Sequence, residues 1–326
     1  MKFSFSINRI FRTCQRKWFY SAHYKRSGSK DSLRHEAYLL SRLQSVQAWR
    51  GNLVDHVIER RILPALKNGW SLNANNILAF AKNLFDRQAA FALAHRLREP
   101  NLNGSVDDEA FAAFYKVEYG EGVSPAEVRE AWREVELALK NLLSMGDLLR
   151  LLGSATQLVA QRTLFYPLDN VGVFAKPDLI AFFAEGPPLI VDWKVHTYAT
   201  QDYRLQLSLY AAALIRCDRH KDFPETLANY QPTDVRLIEA QLLTNQQRKY
   251  TLSDLDVEEF DTHVAVSIAE MVLATGGNVK RLVPFDFPAT SYPEACQGCQ
   301  FRKLCWENPD AKEVSACQGL KQMSFL

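Results

Sequence analysis

Between residues 158 and 195 the chain runs through three apolar segments separated by two short turns, and this run restricts the fold more than any other feature. Residues 158–165, 171–183 and 189–195 read as strands, and Pro167-Leu168-Asp169-Asn170 and Glu185-Gly186-Pro187-Pro188 read as the turns between them. A helix is expected at 201–217 and a further strand at 235–243. Strands joined to a packed helix in this order specify an α/β core rather than a bundle or a sandwich. With 326 residues, 47% of them hydrophobic, the chain has material for one elaborated domain or two smaller ones.

The flanks of this run are helical. Ser6 is a candidate cap for a first helix whose stripe is Ile7, Ile10, Phe11, Cys14 and Trp18. A second helical region spans 33–63, bends near Gly51 and ends by Pro64. Ile77, Ala81, Leu84, Gln88 and Phe91 outline another helix. Ser124-Pro125-Ala126-Glu127 is a capping box with proline at the first helical position, followed by Val128, Trp132, Val135, Leu139 and Leu142 on one side. Turns are expected at 101–105 and 120–122, and a last amphipathic helix carries Phe260, Val264, Ile268 and Met271. The organisation expected is therefore N-terminal helices at 1–69, a helical insertion at 70–153, the α/β core at 154–285 and a cysteine-rich segment at 286–326.

No apolar run approaches the roughly 18 residues of a membrane span, and the N-terminus lacks the apolar stretch of a signal peptide. A cytoplasmic protein with no membrane partner is expected, and in that reducing compartment six cysteines are ligands or buried thiols before they are disulfides. The net charge of +2 is uninformative, but its distribution is not. The first thirty residues carry Lys2, Arg9, Arg12, Arg16, Lys17, Lys25, Arg26 and Lys30 and no acidic residue. Interleaved with Trp18, Phe19, Tyr20 and Tyr24, these cations, Arg16 and Lys17 among them, suit phosphate contact and base stacking on DNA. The plainer alternative is a solvated basic face on a helix whose aromatic side is core.

Asp178 is expected within the second strand and Asp192 near the end of the third, on neighbouring strands. Two carboxylates brought together repel unless a cation lies between them, and oxygen donors of this kind suit Mg²⁺ or Mn²⁺. Lys194, two residues after Asp192, projects from the same strand face and reaches the same place. A divalent cation with a lysine charge clamp is chemistry for phosphodiester hydrolysis. The alternative is a kink after Pro177 and a surface Asp192–Lys194 ion pair. Against it stands the buried-strand run Leu189-Ile190-Val191, which seldom ends in a charged pair without a functional reason.

Cys296-x-x-Cys299 followed by Cys305 supplies three thiolates from one short segment, and a fourth ligand must come from elsewhere. Cys14, in a basic neighbourhood that favours thiolate, is one source; Cys317, near in sequence, is the other and would make a local zinc knuckle. Arg302 and Lys303 are placed to offset the thiolate charge, and Cys217 reads as a buried thiol.

Pro177-Asp178, thirteen intervening residues and Asp192-Trp193-Lys194 resemble the signature of the PD-(D/E)XK nucleases. Gln206-Leu207-Ser208-Leu209-Tyr210 is similar to the Q-x-x-x-Y motif of the RecB-type members, and Gly51-Asn52-Leu53-Val54-Asp55-His56 resembles their upstream histidine motif. The four cysteines, with the opening stretch around Cys14-Gln15-Arg16-Lys17-Trp18-Phe19, resemble the iron–sulfur branch, which includes the nuclease domain of AddB and the CRISPR-associated adaptation exonucleases. The resemblance implies a restriction-endonuclease-like mixed sheet flanked by helices, with a cysteine-ligated cluster joining the N- and C-terminal segments. It implies His56, Asp178, Asp192 and the Trp193 carbonyl as ligands of Mg²⁺ or Mn²⁺, Lys194 as the catalytic lysine, and Gln206 and Tyr210 lining the site or contacting DNA. Cys14, Cys296, Cys299 and Cys305 would hold a 4Fe–4S cluster, with Zn²⁺ as the alternative. The activity implied is a metal-dependent nuclease acting on single-stranded DNA or DNA ends in processing, repair, defence or adaptation. With no P-loop of its own, the chain would take opened DNA from a helicase or an adaptation or defence partner. The rival readings are a DNA-binding scaffold that keeps the nuclease fold without its activity, and a zinc-stapled interaction domain. Two departures from the family pattern are Asp192 where glutamate is commoner, and Val195-His196 after the lysine.

Overall fold

The computed structural model describes residues 1–97, 109–168, 170–196, 203–218 and 220–306. The expected turn at 101–105 and Cys317 lie outside the described residues. Strand β1 (Lys2–Phe3) leads into helices α1 (Phe5–Thr13) and α2 (Gln15–Phe19), which are separated at Cys14. Cys14 breaks the helix because its backbone is extended (φ −161°, ψ 108°), ending α1 and capping α2 at once. The cap of α1 is Ser4, whose hydroxyl accepts the Ile7 N–H at 3.2 Å, rather than Ser6.

Helices α3 (Ser32–Leu40) and α4 (Val46–Val57) follow, and a π-helical turn joins α4 to α5 (Leu63–Lys67). The break in this region falls between α3 and α4, not at Gly51, which sits inside α4 with open space around it. Helices α6 (Ala74–Ala94), α7 (Tyr115–Glu118), α8 (Pro125–Ser144) and α9 (Gly146–Gly153) complete the helical stretch. The α8 capping box is present: Ser124 Oγ accepts the Glu127 N–H at 3.2 Å, and Glu127 accepts the Ser124 N–H at 3.0 Å.

The strand region is more finely divided than its apolar pattern suggests. It contains β2 (Gln157–Ala160), β3 (Leu164–Leu168), β4 (Val171–Ala175), β5 (Leu179–Phe182) and β6 (Leu189–Lys194). Then come α10 (Arg204–Arg216), β7 (Arg236–Gln241), β8 (Gln246–Tyr250), α11 (Asp254–Thr275), α12 (Pro293–Gln297) and α13 (Arg302–Trp306). The expected strand at 171–183 divides because Pro177 has no N–H to give a ladder and restrains the residue before it. The expected strand at 158–165 divides at Gln161, whose φ of 50° no strand residue adopts. These two breaks send the pieces to different sheets. One has the order β1-β4-β3; the other runs β2-β5-β6-β7-β8, mixed, with only β6 and β7 parallel.

Contacts divide the chain into two units. The first comprises residues 1–2, 46–87 and 124–265 and holds the five-stranded sheet. Within it, Leu179, Ile180, Leu189, Ile190 and Val191 are fully buried, and α10 buries Leu207 through Leu214. Trp49 of α4 packs on Phe85 of α6 (centroids 4.6 Å), which meets Trp132 of α8 edge-on at 5.3 Å. The second unit comprises residues 3–45, 88–123 and 266–326. Its core is aromatic: Phe19 stacks on Phe287 at 4.5 Å, Tyr20 on Phe301 at 5.2 Å, and Phe11 meets Trp18 at 5.0 Å. The stretch 70–153 is thus shared, with 70–87 and 124–153 in the first unit and 88–123 in the second. Among the described residues no helix is long and apolar enough to cross a membrane.

Candidate active site and cysteine cavity

The site is assembled at one end of β5 and β6. Asp178 does not lie within a strand; it follows Pro177 in the break before β5. From there its carboxylate reaches the next strand: Oδ2 accepts the Trp193 N–H at 2.8 Å, and Oδ1 accepts from Gln161 Nε2 at 3.1 Å. Asp178 is therefore tied to the residue standing between Asp192 and Lys194. Asp192 is 2% exposed and forms an ion pair with the Lys194 ammonium, which lies 4.4 Å from the Tyr203 ring centroid. The expected sharing of one strand face by Asp192 and Lys194 is what the strand period requires.

A third carboxylate joins them. Burial, and then the charge of Asp192, pushes the Asp55 carboxyl up to about 7, with Lys194 and Lys176 opposing. Asp178 is raised by burial and by Asp55, against the Trp193 N–H and Lys194. Asp192 is raised by burial and by Asp178, again opposed by Lys194. Each carboxyl is thus felt by another, and Lys194 is the cation that opposes all three, with Lys176 adding to it at Asp55. Burial alone favours neutral Lys194, but Asp192 and Asp178 outweigh it and raise its pKa, so it remains an ammonium.

Gln206 and Tyr210 lie one turn apart on α10, and Gln206 Nε2 donates to the Tyr210 hydroxyl at 2.5 Å. Burial, and then the Asp192 and Asp178 charges, raise the Tyr210 pKa. His56, by contrast, turns its ring parallel to Phe80 at 6.5 Å (13° between planes). Its α4 neighbour Asp55 is in charge contact with Asp192 and Asp178. The family resemblance implies His56 as the ligand from this motif and gives Asp55, one residue before it, no role.

Sequence reasoning also missed the supports of this site. Glu239 of β7 lies opposite Asp192 in the parallel register and is fully buried. It accepts from Tyr250 Oη at 2.7 Å and from Gln241, with Arg248 3.5 Å away. Arg50, buried in α4, pairs with Glu134 of α8 and donates to the Val195 carbonyl just beyond Lys194. His196 Nε2 and the Tyr203 hydroxyl are hydrogen-bonded at 2.8 Å.

In the second unit, Cys14, Cys296, Cys299 and Cys305 line one cavity of about 240 Å³. Cys14 Sγ accepts the Lys17 N–H at 3.4 Å and so caps α2. Burial pushes the Cys299 thiol up to about 11, with Lys17 opposing and the neighbouring Cys14 and Cys305 sulfurs adding to the rise. Cys217 is elsewhere, in the first unit at the end of α10, its thiol raised to about 11 by burial. The aromatic part of the expected DNA surface is corrected: Trp18, Phe19 and Tyr20 are core residues because their stripe faces Phe287 and Phe301. Arg16 is likewise not a surface cation, being 4% exposed and turned toward Cys305, and Lys17 is half-buried at the same cavity. Arg302, expected between ligands, pairs with Glu121 and covers the Tyr119 ring at 4.1 Å.

Among the described residues no three His, Cys, Asp or Glu side chains already converge as a complete ligand set. The donor chemistry nevertheless fits two kinds of metal. Three mutually repelling carboxylates suit a hard divalent cation, and four thiols around one cavity suit a thiophilic centre. No curated protein matches the chain. The family model for the PD-(D/E)XK nuclease superfamily matches residues 2–306, covering both units, and on that match and this fold the chain belongs to the PD-(D/E)XK nuclease superfamily.

Proposed function

We propose that the protein is a RecB-type deoxyribonuclease of the iron–sulfur branch, acting on single-stranded DNA or DNA ends. The observation that carries the hydrolytic reading is the buried Asp192–Lys194 ion pair with Asp178 tied to the intervening Trp193 N–H, and Asp55 in charge contact with both aspartates. Asp178, Asp192 and the Trp193 carbonyl are the proposed cation ligands, and the charge contacts favour Asp55 over His56 as the ligand from α4. Mg²⁺ or Mn²⁺ bound there supplies Lewis-acid stabilisation of a phosphodiester's developing charge and a more acidic water. Lys194, kept protonated by Asp192, serves as a charge clamp and water-orienting donor rather than as a base. Gln206 donates to the Tyr210 hydroxyl, which leaves that hydroxyl's proton to donate to a substrate oxygen.

DNA as substrate is supported by the family and by the exposed cations Arg9, Lys25, Arg26 and Lys30. Cys14, Cys296, Cys299 and Cys305 are the proposed ligands of a structural 4Fe–4S cluster, whose chemistry there is to cross-link segments near the two ends of the chain. A helicase or an adaptation or defence protein is the proposed source of opened DNA.

The test is cleavage of end-labelled single- and double-stranded DNA with Mg²⁺, Mn²⁺ or EDTA. Cleavage is expected with either cation, and none with EDTA or in Asp192→Ala and Lys194→Ala, both of which still bind DNA. An Asp192→Ala protein that cuts at the wild-type rate would sink the assignment. Iron and acid-labile sulfide in anaerobically purified protein support the cluster; zinc without sulfide replaces it with the alternative metal.

A further inference from the structure

Arg16 is a buried charge that the hydrolytic site does not use. Its side chain lies inside the second unit, and its contacts are all with groups that carry no formal negative charge as neutral species. Nε donates to the Phe287 carbonyl at 3.0 Å, Nη1 approaches Cys305 Sγ at 3.5 Å, and the guanidinium lies 4.8 Å from the Phe285 ring centroid. Its backbone N–H donates to the Pro288 carbonyl at 3.2 Å, which fixes the start of α2 against that segment. Among the described residues no carboxylate forms an ion pair with it. A guanidinium cannot shed its charge in a protein, so burying one without a counter-ion is strongly unfavourable. Among the groups hydrogen-bonded to its side chain, the one that can carry negative charge is the Cys305 sulfur, on the wall of the cavity that Cys14, Cys296 and Cys299 also line.

We propose that Arg16 is the built-in counter-ion of a thiolate–metal centre formed by these four cysteines, orienting the Cys305 sulfur and offsetting the charge of the loaded centre. This rests on the reading that the four cysteines hold a metal or cluster. Arg16 is then a positioning residue, acting through Cys305 rather than as a ligand. A lysine there keeps the charge but loses the planar fork that serves the Phe287 carbonyl and the sulfur together. Partners of this kind around metal ligands typically account for about 10–100-fold in metal affinity.

The experiment compares anaerobically purified wild type, Arg16→Gln, Arg16→Lys, Arg12→Gln and Cys305→Ala. Iron, zinc and acid-labile sulfide per chain are measured, with the visible absorption spectrum and the rate of metal transfer to a chelator. Circular dichroism and thermal unfolding identify variants that fail to fold. Wild type and Arg12→Gln are expected to hold metal equally, since Arg12 is exposed and pairs with Glu270. Arg16→Gln is expected to release metal about 10–100-fold faster, with Arg16→Lys between it and wild type. If cluster is present, the loss of positive charge in Arg16→Gln also shifts its reduction potential to more negative values. A folded Arg16→Gln protein with wild-type content and release rate overturns the proposal while leaving the cysteine centre intact. If Arg16→Gln does not fold, an Arg16→Lys protein indistinguishable from wild type in release rate overturns it. Wild type and Cys305→Ala both devoid of metal would overturn the cysteine reading, and this proposal with it.

Discussion

At the scale of single residues, the site is short of positive charge. Asp55, Asp178 and Asp192 raise one another's pKa, and Lys194 offsets only part of their repulsion. Asp55 has a folded pKa of about 7 against an ordinary 3.8. A carboxyl raised on folding binds its proton more tightly in the native state. Its stabilising contribution is full below about pH 4 and is lost as the pH rises through about 7, each unit corresponding to about 1.4 kcal/mol. In metal-free protein, Asp55→Asn is therefore expected to raise the Tm relative to wild type at pH 8 and to leave it nearly unchanged at pH 4. Equal differences at both pH values would remove Asp55 from the carboxylate group. Cation binding must displace protons, so Mn²⁺ should stabilise wild type more at pH 8 than at pH 5. The Mn²⁺-induced Tm shift is expected to shrink in Asp55→Asn and to persist in His56→Ala, as read by thermal scans. The reverse pattern would return the α4 ligand to His56.

At the scale of elements, local signals succeeded where one local interaction decides the structure. The α8 capping box is complete within four residues, Ser124 to Glu127, so it was legible without any tertiary context. Ser124→Ala is expected to cost about 1 kcal/mol in urea unfolding. The β3–β4 hairpin shows the opposite case. Gly172 faces Pro167 across the pair, and a Cβ there would come within 2.7 Å of Phe165 Cε2 and 2.9 Å of Phe174 Cε2. Gly172→Ala is expected to destabilise by about 1–3 kcal/mol through this overpacking, and a ΔG of unfolding equal to wild type would show that the two rings simply move aside. Apolar pattern alone could not reveal that ring pair, nor that 158–165 and 171–183 each feed two sheets. β-Propensity continues through Gln161 and Pro177, while the pairing partners on either side of them change.

At the scale of the whole molecule, the cysteines and the carboxylates belong to different units. Linking Cys14 to Cys296 closes a loop of nearly the whole chain, worth on the order of 5 kcal/mol by analogy with a disulfide. Cys14→Ala is expected to lose its metal and to exchange backbone amides faster in α1, α2, α12 and α13. The amides of β5, β6 and β7 should keep their protection. Full metal content with unchanged exchange in Cys14→Ala would show that the centre does not need the N-terminal ligand. The sequence by itself determined the α/β class, the strand that ends in Asp192 and Lys194, the four-residue spacing of Gln206 and Tyr210, and the close spacing of Cys296, Cys299 and Cys305, while the structure brought Cys14 to their cavity. These rest on residue type and short periodicity, which act within a few positions of the chain. Only the tertiary structure brought Asp55 into charge contact with Asp192 and Asp178, turned Arg16 and the neighbouring aromatics inward, and set Gln161, Glu239, Arg50 and Tyr203 around the site. Adjacent residues on a helix point about 100° apart, and which of them meets a distant strand depends on how the helix packs. That choice is made by contacts more than a hundred residues away, such as Arg50 with Val195, and local pattern carries no record of it.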